Sequence, residues 1–73
     1  MKYNLAKEII GEMVVSQKKY NDLLLKINAT STNKEFDFYK KGFAQIMGSM
    51  LLDIINPIVK EHPDLKPEKL NEL

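Results

Sequence analysis

The sequence predicts an all-α protein, an antiparallel hairpin of two long helices followed by a short proline-containing C-terminal segment. Two observations carry this prediction: apolar residues recur at helical spacing in two stretches of similar length, and a short polar break separates the stretches. A third is that residues 1–56 contain no proline, whereas Pro57, Pro63 and Pro67 all lie at or beyond the end of the second stretch. The chain has 73 residues, which is enough for one domain spanning residues 1–73.

The first apolar stripe predicts a helix over about residues 3–28. Its members follow each other in steps of four and three: Ala6, Ile10, Met13, Gln17, Tyr20, Leu24 and Ile27. This spacing is a heptad seam in which Gln17 supplies one polar layer that fixes the register. Flanking apolar residues such as Ile9 and Leu23 widen the apolar arc to roughly 200°.

The break and the second stripe predict a helix over about residues 33–56. Residues 29–32 are short and polar, and Thr32 with Glu35 has the spacing of a capping box at a helix start. The second stripe consists of Phe36, Tyr39, Phe43, Met47, Met50, Ile54 and Ile58. We expect this helix to stop at Asn56-Pro57, because proline lacks an N–H and disfavours helical geometry before it. An alternative is that Asn56 caps a new turn with Pro57 in its first position.

The C-terminal segment, residues 57–73, reads as a strap that follows the hairpin. We expect one short helical turn, an extended link over residues 63–65 and a last turn that opens at Pro67. Its sizeable apolar residues are Ile58, Val59, Leu65, Leu70 and Leu73.

The two wide apolar arcs predict self-association, because each helix of a lone hairpin covers only one stripe of the other. Two hairpins that pair about a two-fold axis form a four-helix bundle, which we favour; the alternative is that the strap covers the excess apolar surface. The residues expected at a dimer or partner interface are Ile9, Met13, Tyr20, Leu23, Phe36, Phe43, Ile46, Met50 and Ile54.

Four further residues of the second helix stand out. Phe38 and Leu52 fall outside the apolar arc, on the face that should be polar, and are candidates for contacts with another protein. Gly42 and Gly48 each weaken the helix, which is typical of a place where another helix approaches closely; the alternative is a groove or hinge for a ligand.

Residues that carry catalysis are missing from the sequence. The chain has no Cys and a single histidine, His62, which we expect to be exposed. A zinc site needs more ligands than that, and Glu8 and Glu12 fall on the polar face of the first helix. We therefore expect no enzyme activity, no metal and no cofactor.

Charge and hydropathy limit the partners and the location. The 11 basic side chains are all Lys and the net charge is +1, so nucleic-acid binding is disfavoured. The longest apolar runs have only three residues, as at residues 50–52, from which we expect no membrane span and a cytoplasmic location. The predicted function is a small, non-catalytic protein–protein interaction module that forms a homodimer. The alternative is an RNA- or DNA-binding regulator that uses Lys18, Lys19, Lys40 and Lys41.

Overall fold

The computed structural model describes residues 1–67, in which all regular structure is helical. The first helix, α1 (Tyr3–Thr30), is followed by a second helical rod built from α2 (Asn33–Ser49), a π-helical segment (Met50–Ile55) and α3 (Asn56–Glu61). One 3-10 turn, Pro63–Leu65, completes the described chain. The predicted all-α class is confirmed, and α1 packs along the second rod in a body of 44 × 18 × 16 Å.

The reversal between the two rods needs only Ser31 and Thr32. At the end of α1 the Thr30 hydroxyl donates a hydrogen bond to the carbonyl of Lys26, 2.8 Å away. At the start of α2 the Thr32 hydroxyl accepts from the backbone N–H of Glu35, and the Glu35 carboxylate accepts from the N–H of Thr32. These two bonds satisfy N–H groups that a helix start leaves free, and they confirm the predicted capping box.

The predicted helix stop at Asn56-Pro57 is wrong, because the second rod continues without a break to Glu61. The six residues before Asn56 form the π-helical segment, and the Asn56 N–H donates to the carbonyl of Leu51, five residues back. In an α-helix a proline ring clashes with the carbonyl four residues before it. The wider π turn changes the bonding register just ahead of Pro57, so the rod accommodates the proline.

The buried core lies at the end of the hairpin that holds the start of α1 and the end of the second rod. Ala6 and Ile10 of α1 pack against Ile55 and Ile58 of the second rod, and Val59 and Leu65 close over them. By contrast, α2 contains no buried residue along its length. The half of the hairpin near the loop is therefore held by partly exposed contacts, such as the tilted ring pair of Tyr20 and Phe43 at 5.5 Å.

The C-terminal segment departs from its prediction after Glu61. His62 leaves the helix with φ −128° and ψ 79°, as expected for a residue before proline, and residues 63–65 form a 3-10 turn rather than an extended link. Through Leu65 this turn packs on the core. The predicted turn opening at Pro67, with Leu70 and Leu73, extends into residues 68–73, outside the described residues.

Candidate interaction surface

One side of the hairpin carries apolar residues from both rods. When α1 and α2 are projected at 100° per residue, each has a line that faces the other rod, marked by Ile10 and Gln17 in α1 and by Phe36 and Met47 in α2. In an antiparallel pair, residues displaced in the same rotational sense from these lines fall on the same side. We call this side the apolar flank; its members in α1 and α2 are Ile9, Met13, Ser16, Tyr20, Leu23, Ile27, Tyr39, Phe43 and Ile46. Met50 and Ile54 of the π-helical segment also belong to it, because they line one groove with Ile46.

Much of the apolar flank remains open to solvent. Leu23 is 45% exposed, and Tyr39 and Ile46 are each 49% exposed. Along the second rod, Ile46, Met50 and Ile54 line a shallow groove whose polar rim consists of Gln45, Ser49 and Asp53. An apolar strip of this length is typical of a surface that binds another molecule.

The structure divides the residues predicted at an interface into three groups: exposed, buried and half-buried. Leu23, Ile46 and Ile54 are exposed on the apolar flank, whereas Met50 is buried within the chain itself. The others, Ile9, Met13, Tyr20, Phe36 and Phe43, are half-buried between these extremes. Tyr39 was absent from the predicted interface, although its place in the stripe seven residues before Ile46 was a signal that could have included it.

Phe38 and Leu52 lie on the outer surface of the second rod, away from α1. They are 71% and 66% exposed, respectively. The ring of Phe38 makes an edge contact with the ring of Tyr39, with centroids 5.2 Å apart.

Within the chain, the helix glycines do not mark a close approach between helices. A Cβ atom added at Gly42 or Gly48 would meet nothing within 4 Å. The predicted close approach is therefore absent from the hairpin, because neither glycine lies on the line that faces α1. Gly42 instead borders the apolar flank, where it leaves the surface of α2 low.

Polar contacts connect the start of α1 to the end of the second rod. The Tyr3 hydroxyl donates to Asp64 at 2.7 Å, and the Met1 ammonium group contacts the Glu61 carboxylate at 2.7 Å. The hydrogen bond to Asp64 raises the pKa of Tyr3, and the bond from the Met1 ammonium lowers the pKa of Glu61.

His62 is half-buried in these contacts, contrary to its predicted exposure. Its ring packs edge-on against Tyr3, and its Nε2 donates to the carbonyl of Met1 at 3.0 Å. The partners come from the other end of the sequence, so nothing in the residues around His62 indicates them. Across residues 1–67, no three His, Asp or Glu side chains converge as metal ligands would.

The two ends of the folded hairpin differ in net charge, although charge is nearly even along the sequence. We call residues 15–45 the loop half; their six Lys and three acidic side chains give +3. The rest of the described chain, the terminal half, has four Lys, the Met1 ammonium group and five acidic side chains, giving 0. The lysines of the loop half alternate with Asp22, Glu35 and Asp37, so they do not form the unmixed basic patch that binds phosphates.

The second rod also has a property that bears on the expected absence of a membrane span. By length and composition alone, Asn33–Glu61 could cross a membrane, a test that core helices of soluble proteins also pass. Its most apolar stretch, residues 42–59, carries one charged side chain, Asp53. The absence of a span stays a prediction.

Comparison with known proteins returns no relative. The chain matches no protein-family model, and no curated protein or solved structure shows significant similarity to it. The apolar flank is accordingly interpreted from its own chemistry.

Proposed function

We propose that this chain is a small, non-catalytic protein–protein interaction module that acts as a homodimer, with the apolar flank as the dimer surface. The observation that carries the proposal is the flank itself, where Leu23, Tyr39 and Ile46 are about half exposed on one side of the hairpin. A second copy that covers them removes apolar surface from water at about 25 cal/mol per Å².

The size of the flank supports this proposal. A whole side of a body 44 Å long and 18 Å wide measures about 800 Å², the area that each partner contributes to a standard protein–protein interface, and the apolar flank runs along such a side. The dimer also leaves Phe38 and Leu52 outside, on the opposite surface of the second rod. Those two side chains are then free to contact a different protein.

A pair of matched substitutions tests the dimer surface. Ile46→Glu places a carboxylate on the apolar flank, whereas Leu52→Glu makes the same kind of change on the outer surface of the same rod. Because each copy would bury the introduced carboxylate in an apolar interface, we expect Ile46→Glu to raise the dimer dissociation constant by about a hundredfold or more. Leu52→Glu should leave the dissociation constant unchanged within about twofold.

The measurement is absolute mass by light scattering across a range of concentrations, with helix content checked by circular dichroism. Twice the chain mass for the wild type and for Leu52→Glu, with the chain mass for Ile46→Glu, supports the proposal. A wild type that stays monomeric at every concentration contradicts it. So does a monomer that cosediments with lipid vesicles, since the flank would then belong to a membrane surface.

A further inference from the structure

We propose that the two copies pack with their loops at opposite ends, so that α1 of one copy lies antiparallel against α1 of the other. This inference rests on the proposed homodimer and specifies its arrangement. The second rods then pair with each other in the same way, and the four helices form a closed bundle.

Two arrangements bury the same flank about a two-fold axis with the helices aligned. In the first, the axis runs along the hairpin, the loops lie together and α1 covers the partner's second rod. In the second, the axis runs across the hairpin and the loops lie at opposite ends. Each rod then packs against the same rod of the other copy. Neighbouring helices are antiparallel in both cases, so apolar burial alone does not choose between them.

In each rod, the apolar residues of the flank lie symmetrically on either side of one central position. A two-fold axis that runs across the hairpin would pass through these central positions. In α1, Ile9 and Leu23 lie seven residues before and after Ser16. In the second rod, Tyr39 and Ile54 are centred close to Ile46.

The two centres also lie at one height of the hairpin. Tyr20 contacts Phe43, which brings Ser16 level with about residue 47 on the other rod. One crossing axis therefore passes close to both Ser16 and Ile46, and Ile9 of one copy meets Leu23 of the other.

Charge at the edge of the flank distinguishes the arrangements. Glu12 and Lys19 stand on either side of Ser16 at the α1 edge of the flank. With the loops at opposite ends, Glu12 of one copy lies beside Lys19 of the other, twice per dimer. With the loops together, Glu12 comes level with residues 51–53 of the other copy, where Asp53 borders the apolar groove. Opposite charges thus meet when the loops lie at opposite ends, and like charges meet when the loops lie together.

The charges of the two halves favour the same arrangement. Loops at opposite ends bring the loop half, at +3, against the terminal half of the other copy, which has no net charge. Loops together bring two +3 halves against each other. Loops at opposite ends therefore avoid a repulsion between like charges, and this advantage weakens as salt is added.

A distance between spin labels tests the arrangement directly. The sequence has no cysteine, so Lys34→Cys provides one label at the exposed loop end of each copy. Lys34 lies twelve residues from Ile46, which at 1.5 Å per residue puts each label about 18 Å from the two-fold axis along the rod. The two labels lie on opposite sides of the axis, so with the lateral distance between the copies they should be about 40 Å apart. A separation comparable with the 18 Å width of the hairpin overturns the arrangement while the homodimer stands. A wild-type chain without any dimer refutes the proposed function itself.

A charge exchange tests the same inference through affinity. Glu12→Lys faces Lys19 of the other copy, and we expect the dissociation constant to rise about fivefold. The double variant Glu12→Lys/Lys19→Glu should recover the wild-type value within about twofold. Glu8→Lys is the control for the change in overall charge, because it makes the same charge change one turn earlier and about 40° further from the apolar flank. If Glu12→Lys tightens the dimer, Glu12 faces Asp53 and the loops lie together.

Discussion

Replacing Ile55 by Ala tests where the structure places its core. Ile55 is fully buried, with 0% exposure, between Ala6, Ile10 and Ile58. Truncating a buried Ile to Ala costs about 2–5 kcal/mol, because the lost burial is compounded by the cavity left behind. A chain of 73 residues has a total unfolding free energy of about 4–11 kcal/mol. The expected loss of about 3 kcal/mol is therefore a large part of the whole.

The assay is urea denaturation followed by circular dichroism, at protein concentrations below and above self-association. Dimerisation adds to apparent stability by mass action, so the low-concentration series isolates the core of the single chain. Leu52→Ala on the same rod is the control; its 66% exposure predicts a change within about 0.5 kcal/mol. A loss under about 1 kcal/mol for Ile55→Ala, or equal losses for both variants, would refute the placement of the core at the terminal half.

Two further predictions concern the ends of the hairpin. Thr32→Ala removes the capping hydroxyl of α2 and should lower the unfolding free energy by about 1 kcal/mol, with Thr32→Ser recovering most of it in the same urea assay. Asp64→Ala should lower the raised pKa of Tyr3, measured by titrating the phenolate absorbance of the tyrosines. Comparison with Tyr3→Phe shows which part of that titration belongs to Tyr3. Because the folded pKa of Tyr3 lies above 10.0, this contact stabilises the fold below pH 10.0 and is lost as pH rises through the folded pKa. An unchanged tyrosine titration in Asp64→Ala would mean that the hydrogen bond is not formed in solution.

The features that could be predicted from the sequence are those that short stretches determine. The heptad seam predicted α1 to within two residues of its end at Thr30, and the Thr32–Glu35 capping box marked the start of α2. The path through Pro57 could not be predicted, because helical spacing does not distinguish a helix that stops before a proline from one that passes it through a π turn. His62 was misjudged for a related reason, since its partners Met1 and Tyr3 are some sixty residues away in the chain.

The sidedness of the interaction surface also required the structure. The sequence shows that both helices have apolar arcs wider than one contact stripe, but the arcs could lie on the same side of the hairpin or on opposite sides. The choice depends on which line of each helix faces the other. The buried positions of Ile10 and Gln17 in α1 and the partly buried Phe36 and Met47 in α2 mark those lines. Once they are known, Leu23 and Ile46 fall on one flank.

The uneven distribution of the core gives self-association a structural role as well as a functional one. All four residues of the core cluster lie in the terminal half, whereas the 17 residues of α2 contain none that is buried. Helices near this length are marginal in water without tertiary packing, so α2 gains most from any surface that covers its exposed side. In a dimer with loops at opposite ends, the loop half of each copy packs against the terminal half of the other, which is the part with a core. Each hairpin would then stabilise the end at which its partner is weakest, and binding and folding would be coupled along the whole flank.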